Sequence, residues 1–408
     1  AAVGTDEYAT HNFSSGFGFN KDNLSLSING NYIQSDGFNS DNISQQADDD
    51  GYQNISASTR LAYKLSGLAH IELNDLYIKS YTEIDNSWGP NQVRSINTTP
   101  NLKINIIPSE FFEISLTGGV GTDKSDYLKD GKYYSHINTN KRTAGTQINL
   151  HTNDQSLNIG GDYLKDIIDT EPTLYKTKER KNTAIYGQYQ GKFGSQLFML
   201  STRQDDNDQF GTHTTSNIGW KWFAIEDLLS VNAGWGQAFV APNFMDLYYP
   251  GYDNPDLKPE TSENYEIGVS SSIKSITWSA QAYSTKVNDL IGLDSNWKPY
   301  NTSRARLRGI EINFTKEWGR LSTSINHTLQ DPRDLSTNLT LIRRARQKTH
   351  LVATYNVGSA KLTSSINING SRYDDIYDEN GNPARVELGG FTTIDLLANI
   401  PLSSGFKL

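Results

Sequence analysis

Acidic and amide side chains crowd one polar segment near the start of the chain, residues 35–54. It contains Asp36, Asn39 and Asp41, followed by the run Asp48-Asp49-Asp50-Gly51. Clustered carboxylate and amide oxygens suit Ca²⁺, which takes six to eight oxygen ligands, and a glycine allows the tight turn of a metal-binding loop. The segment therefore predicts a calcium site, and acidic surface that binds water alone is the alternative interpretation.

Catalytic chemistry is not predicted by the remaining residues. The chain has 7 histidines and no cysteine, and neither an HExxH pair nor a GxSxG motif occurs. No Ser–His pair can be identified from spacing. An enzyme is therefore not expected.

Polar and apolar residues alternate with a period of two over many short stretches. At residues 24–29, for example, leucine and isoleucine alternate with serine and asparagine, and residues 229–236, 310–315 and 362–369 repeat the pattern. Such alternation predicts β-strands with one apolar and one polar face. A soluble β-sandwich would show the same pattern.

Composition narrows the class of protein. Hydrophobic residues make up 36% of the 408 residues, aromatic residues are frequent (22 Tyr, 7 Trp), and the net charge is −9. No apolar run approaches 18 residues, which excludes a transmembrane helix, and the negative charge argues against a nucleic-acid partner. No signal segment opens the chain, so any export signal is expected to have been removed. A transmembrane β-barrel and a soluble propeller or β-helix both fit these totals.

The lengths of the connections favour the barrel. Short turns alternate with longer polar stretches, which is typical of outer-membrane barrels with short periplasmic turns and long external loops. No blade-sized repeat supports a propeller. The short turns are predicted at 20–23, 66–68, 108–111, 152–156, 191–195, 224–228, 272–276, 316–321, 356–361 and 402–406, and the longer stretches include 35–54, 237–264, 287–308, 330–348 and 371–390. About ten hairpins predict about 20 strands in the outer membrane of a Gram-negative bacterium.

The two ends of the chain, residues 1–5 and 405–408, both have strand character. A sheet in lipid must close, because each unpaired backbone group there costs several kcal/mol. The expectation is that the chain is a fragment and that the complete barrel has a little more sequence at both ends.

Three stretches resemble the barrel of TonB-dependent receptors. The first combines Ala241-Pro242-Asn243 with Asn254-Pro255-Asp256-Leu257-Lys258-Pro259-Glu260. The second joins Asn288-Asp289-Leu290-Ile291 to Tyr300-Asn301 and 305–311. The third, the basic run 341–348 with 370–374, is similar to the cobalamin-receptor branch of the family.

The resemblance implies an all-β fold, a transmembrane antiparallel barrel of the 22-stranded type, over residues 1–408, without the plug domain and the last strand. The implied function is uptake of cobalamin or a related corrinoid, with TonB as a partner through the missing plug. The basic run 341–348 would face lipopolysaccharide phosphates or the lumen. A ferric-siderophore receptor, or a passive porin or adhesin-like barrel, is the alternative.

The resemblance also assigns metal ligands. Cobalamin receptors bind calcium between two neighbouring loops, and Asp48, Asp50 and Asp85 match the acids used there. Asn39 stands where the family has an acid, and no further acid follows Asp85 in its loop. Together with Asp41, these residues form the candidate calcium site.

Ligand contacts are implied at three positions. Arg343 and Tyr377 match loop residues that touch the corrinoid in the family, and Thr139 matches a third, in a loop that aligns less well. The alternative for Arg343 is an arginine on the barrel wall that pairs with acids in the lumen.

Overall fold

The computed structural model describes residues 2–6, 8–39, 48–86, 89–294, 296, 298–301, 304–377, 383–403 and 406–407. The chain divides into two compact units. The first comprises residues 1–188, 203–214 and 243–255, and the second comprises residues 189–202, 215–242 and 256–408.

The first half of the chain is built from β-strands joined mainly by hairpins. Their bounds are β1 (Ala2–Asp6), β2 (Thr10–Lys21), β3 (Leu24–Ser35), β4 (Tyr52–Ser66), β5 (Ala69–Glu83), β6 (Gln92–Thr98), β7 (Asn101–Ser109), β8 (Phe112–Lys129), β9 (Lys132–His151), β10 (Gln155–Glu171), β11 (Glu179–Phe193) and β12 (Gln196–Asn207).

The second half continues in the same way around one short helix. The bounds are β13 (Gly211–Ile225), β14 (Leu229–Val240), α1 (Phe244–Tyr248), β15 (Glu260–Ile273), β16 (Ile276–Asn288), β17 (Ile291–Leu293), β18 (Pro299–Asn301), β19 (Arg304–Trp318), β20 (Leu321–Asp334), β21 (Gln347–Val357), β22 (Ala360–Asn369), β23 (Arg372–Tyr377), β24 (Pro383–Leu388), β25 (Phe391–Asn399), β26 (Pro401–Ser403) and β27 (Phe406–Lys407).

Neighbours in sequence pair antiparallel within each unit. In the first unit β1 to β5 pair in order, and β8, β9 and β10 continue the series. β6 and β7 both lie between β5 and β8 and form one interrupted strand, because Thr99 and Pro100 separate them and proline has no N–H for the ladder. In the second unit β14, β15, β16, β19, β20, β21, β22 and β25 pair in turn.

The strand count agrees with the prediction. Twenty-one strands of the described chain belong to the main sheet, and counting β6 and β7 as one strand leaves 20. The hairpins β17–β18, β23–β24 and β26–β27 pair separately, and the first two lie inside predicted long loops. The predicted all-β fold class is confirmed.

The predicted alternation of short turns and long loops is wrong at two connections, where a short turn replaces the long loop. β8 and β9 meet in the two-residue turn Asp130-Gly131, where both residues have positive φ (50° and 75°), as a type I′ hairpin requires. Only residues 208–210 separate β12 from β13. At the first of these connections the polar sequence extends the strands instead of forming a loop, so that β8 reaches 18 residues and β9 reaches 20.

Strands of the main sheet have one apolar and one polar face. On β19, Ile310, Ile312 and Phe314 share one face, while Glu311 and Asn313 lie on the other. The apolar side chains are exposed; Leu396 on β25, for instance, is 81% exposed. Apolar exposure on this scale is unfavourable in water and favourable against lipid. No helix in the described part of the chain is long and apolar enough to cross a membrane.

Candidate functional site

The two described ends of the acidic segment between β3 and β4, residues 36–39 and 48–51, pair with each other. The Asn39 backbone N–H donates to Asp49 Oδ1 at 3.1 Å, and the Asp50 N–H donates to the Phe38 carbonyl at 3.4 Å. Asp48 and Asp49 are exposed and Asp50 is half-buried. The base of this loop therefore gathers Asn39 with two acids, while Asp41 lies outside the described residues.

The next loop, between β5 and β6, lies against it. The register Tyr52↔Thr82 extends into the loops, where the Gly51 N–H donates to Glu83 Oε2 at 3.1 Å and the Glu83 N–H donates to the Gly51 carbonyl at 2.9 Å. The predicted proximity of the two loops is confirmed. Asp85 is half-buried two residues further on.

Sequence reasoning missed Glu83. The signal that identifies it is the strand register, because extending the β4–β5 pairing by one step places Glu83 opposite Gly51. In the part of the chain that the structure describes, no group of three or more His, Asp or Glu side chains is close enough to hold a metal ion. The calcium site stays a prediction.

An aromatic cluster covers one end of β10 in the first unit. Helix α1 begins after Asn243, whose Oδ1 accepts the Asp246 N–H at 2.8 Å and so caps the helix. Phe244 is buried against Ile168 and Tyr175. The Arg180 guanidinium carbon lies 5.0 Å from the centroid of the Phe244 ring, within reach of a cation–π contact.

Tyr175 is the most enclosed ring of this cluster, with 3% of its surface exposed. Its ring packs edge-on to Tyr249, with centroids 6.1 Å apart. Its hydroxyl has no hydrogen-bond partner among the described residues. Burial raises the pKa of Tyr175 to about 12.

The cluster also offers exposed groups next to the buried rings. Leu174, Met245 and Tyr252 are each more than half exposed. The Gln209 side-chain amide donates to the Tyr248 hydroxyl. Apolar surface with a few directed polar groups is what a large amphipathic ligand requires.

Thr139 does not lie in a loop, contrary to the expectation. It lies inside β9, opposite Asp123 on β8 and Ile168 on β10. The sequence around it continues as strand because β8 and β9 extend to their two-residue turn. Residues that oppose each other in antiparallel strands project from the same face, so Thr139 shares the face of Ile168 and its aromatic cluster.

Arg343 lies in the loop between β20 and β21 of the second unit. Its Nε donates to both carboxylate oxygens of Asp374, at 3.0 and 3.1 Å, and its backbone N–H donates to the Tyr373 carbonyl at 2.7 Å. The side chain is 72% exposed. Arg343 therefore pairs with an acid and at the same time presents its guanidinium to the solvent.

The hairpin β23–β24 supports that loop. The Arg385 guanidinium carbon lies 5.3 Å from the centroid of the Tyr373 ring, and Arg385 also donates to the Thr340 carbonyl. Tyr377 is the last residue of β23. Asp374 was not predicted as a site residue; its place in the hairpin, rather than any local pattern, brings it to Arg343.

The motifs that carried the resemblance have structural roles in the second unit. Asn301 accepts the Lys258 N–H at 2.8 Å and donates to the carbonyls of Lys258 and Asp289, at 2.9 and 2.7 Å. Glu260 accepts the Ile291 N–H through Oε1 at 2.6 Å. These contacts join three loop segments at the ends of β15, β16 and β18.

Comparison with known proteins identifies a family. The family model described as TonB dependent receptor-like, beta-barrel, matches residues 2–408. A curated relative, the vitamin B12 transporter BtuB of Photobacterium profundum, is 27% identical over 87% of this chain. The BtuB of Vibrio vulnificus is 32% identical over 58% of the chain. The matched regions span 59% and 38% of these relatives.

Solved structures share the fold. A crystal structure of a mutant of the ferric enterobactin receptor PfeA from Pseudomonas aeruginosa superimposes with a TM-score of 0.83. The match covers 98% of this chain and 71% of that one, at 15% sequence identity. At this identity the likeness shows the barrel fold alone.

Proposed function

From the premise that this chain belongs to the TonB-dependent receptor-like β-barrel family, we propose that it forms the barrel of an outer-membrane receptor that takes up cobalamin or a related corrinoid. The observation that carries the choice of cargo is the similarity over 87% of the chain to a protein named a vitamin B12 transporter. The two-faced strands support the outer membrane of a Gram-negative bacterium as its location.

Ligand contact in the first unit would use the aromatic cluster. Its half-exposed apolar side chains would cover the hydrophobic faces of a corrinoid, and the Tyr248 hydroxyl and Gln209 amide would contact its amide groups. Thr139 lies on the same face and stays a predicted contact.

Contact in the second unit would use Arg343. Asp374 fixes the Nε edge of the guanidinium, while the side chain stays 72% exposed. A guanidinium held in this way has lost part of its rotational freedom before the ligand arrives, which lowers the entropic cost of binding. Tyr377 is proposed as a second contact from the hairpin that carries Asp374.

Calcium would order the two acidic loops. Asp48, Asp50 and Asp85, with Asn39 and Asp41, are the proposed ligands. Without a cation, like charges about 4 Å apart repel by roughly 4 kcal/mol at an effective dielectric of 20. The Gly51–Glu83 hydrogen bonds already hold the two loops together, so a cation would bind between loops that are neighbours without it.

A ferric siderophore is the alternative cargo. A solved receptor with the same barrel fold, at a TM-score of 0.83, is named a ferric enterobactin receptor. That likeness concerns the fold and not the loops. The whole protein's energy-coupled transport, with TonB as partner through a plug domain, is likewise part of the proposal.

The deciding experiment is a pair of titrations on the purified full-length receptor in detergent, one with cyanocobalamin and one with ferric siderophores. Saturable binding of cyanocobalamin without siderophore binding is expected. Binding of a ferric siderophore alone would replace the proposed cargo, and binding of neither ligand would favour the porin or adhesin-like alternative.

A further inference from the structure

Four charged side chains lie at one end of the apolar face of β19 and β20. Arg306 and Arg308 on β19 are opposite Arg333 and Asp331 on β20. Ile310 follows on β19 and Leu329 on β20, and both are on the same face because residues two apart share a face. This group, here called the arginine patch, therefore belongs to the face that contacts lipid.

Asp331 holds the patch together. It accepts from Arg333 Nε at 2.8 Å and from Arg308 Nη2 at 3.1 Å, and Arg306 Nη2 lies 3.9 Å away. The Asp331 side chain is 18% exposed, whereas Arg308 is 56% exposed. One carboxylate thus binds two guanidinium groups by hydrogen bonds and a third by charge alone, and two positive charges are left uncompensated within the patch.

The hydrogen bonding of Arg306 is incomplete. Its Nη2 is too far from Asp331 for a hydrogen bond, and its Nε is buried without an acceptor among the described residues. Lys286 lies opposite Arg306 on β16 and is exposed. The patch therefore carries an excess of positive charge at the edge of an apolar surface.

The depth of the patch follows from the strand. Trp318, on the same face at the other end of β19, is ten residues from Arg308. At about 3.4 Å per residue and a tilt near 40°, the two are roughly 26 Å apart along the membrane normal. This equals the height of an apolar band of about 25 Å with aromatic residues at its border. Arg308 therefore lies at the level of lipid headgroups.

The patch lies at the rim of the long loops. The loop of residues 335–346 follows β20 directly, and residues 289–303 precede β19. Long loops mark the external side of an outer-membrane barrel. The headgroups at this level therefore belong to the outer leaflet, whose glycolipid carries phosphates on its lipid A disaccharide.

We propose that Arg306, Arg308 and Arg333, ordered by Asp331, form a binding site for a phosphate group of lipid A. Guanidinium groups bind phosphate through paired hydrogen bonds, and the neighbouring isoleucine and leucine side chains would pack against the acyl chains. The site rests on the proposed outer-membrane location but not on the cargo, because the patch is on the lipid-facing surface.

The test is a titration of the full-length receptor in neutral detergent with bisphosphorylated lipid A and with its dephosphorylated form. The wild type should prefer the phosphorylated lipid, and salt should weaken binding. Each arginine should contribute about fivefold, and the triple change Arg306→Gln/Arg308→Gln/Arg333→Gln about a hundredfold. The triple lysine variant keeps the charge and should retain most of the affinity. Millimolar inorganic phosphate should compete poorly if a lipid headgroup is the ligand.

Lys316→Gln is the matched control. Lys316 lies on the same face of the same strand but beside Trp318 at the short-turn end, with its Nζ 4.1 Å from that ring centroid. Its replacement should leave lipid A binding unchanged. Wild-type affinity in the folded triple glutamine variant, or an equal loss in Lys316→Gln, would overturn the proposal. Cyanocobalamin binding should be unchanged in all variants, which separates a failure of this site from a failure of the proposed function.

Discussion

The side-chain amide of Asn301 both accepts from and donates to the backbone of Lys258, as two paired strand residues do. Its Oδ1 accepts the Lys258 N–H at 2.8 Å, and its Nδ2 donates to the Lys258 carbonyl at 2.9 Å and to the Asp289 carbonyl at 2.7 Å. A single amide thus holds the loop before β15 against the loop after β16.

Replacing this amide should loosen the loops. We expect Asn301→Ala to cost about 1–3 kcal/mol locally, because three hydrogen bonds are lost. Asn301→Asp should also weaken the contact, since a carboxylate cannot donate to the two carbonyls. Faster hydrogen exchange in residues 254–260 is the measurement. Asn313→Ala, which removes one bond to Ser279, is the control, and equal exchange in both variants would contradict the assigned role.

Arg343→Ala should weaken corrinoid binding by roughly tenfold or more, since a hydrogen bond from a charged group contributes about 1.5–3 kcal/mol. Tyr377→Ala should also weaken it. Asp374→Asn should have a smaller effect, because the guanidinium remains but loses its ionic partner. Arg320→Ala, in the turn between β19 and β20, is the control. Equilibrium titration with cyanocobalamin measures the effect, and unchanged affinity in the folded Arg343→Ala/Tyr377→Ala double variant would reject both contacts.

Calcium should strengthen cobalamin binding, and a chelator should weaken it. The double change Asp48→Asn/Asp50→Asn should remove the dependence on calcium, because amides do not supply the charge that attracts the ion. Asp154→Asn, in the turn between β9 and β10, should leave it intact. Calorimetry with calcium alone tests the metal directly. If chelator has no effect on the wild type, the acids are ordinary solvated surface.

Glu83→Gln should separate loop positioning from metal binding. The glutamine keeps an oxygen that can accept the Gly51 N–H, so the loops should stay together with little change in stability. A fall in calcium affinity in this variant would add Glu83 to the metal ligands. Glu83→Ala should loosen both loops, as measured by hydrogen exchange in residues 48–51, and protection equal to that of the wild type would contradict this role.

Tyr175→Phe should be neutral or slightly stabilising at neutral pH, because the variant removes a buried hydroxyl that has no partner among the described residues. The folded-state pKa of Tyr175 is about 12, above the usual value near 10. The free energy of unfolding of the wild type should therefore be unaffected by this group below pH 10. It should fall by up to about 3 kcal/mol as the pH rises from 10 towards 12, because the unfolded chain ionises first. Urea unfolding of both proteins between pH 8 and 11.5 measures this; a parallel decline in the variant would contradict the assignment.

Local sequence was sufficient for much of the strand pattern. The alternation at residues 310–315 places Ile310 and Ile312 on one face and Glu311 on the other, because side chains in a strand alternate strictly. At Asp130-Gly131 the local sequence is also informative, because Asp-Gly is a strong hairpin signal. The prediction of a loop around Thr139 came from the resemblance instead, and it was wrong.

The sequence by itself determined the class of fold, the strand count near 20 and the family. The reason is that the alternation, the turn residues and the motifs of the β14–β19 region are each contained in a short stretch of sequence. Only the tertiary structure decided which side chains meet. Glu83 at the end of β5 accepts from Gly51 beside the neighbouring strand β4, and Asp374 accepts from Arg343 in a separate loop. Asp331 pairs with arginines from two strands. These contacts depend on strand register and loop packing, which join residues far apart in the chain and leave no local pattern in it.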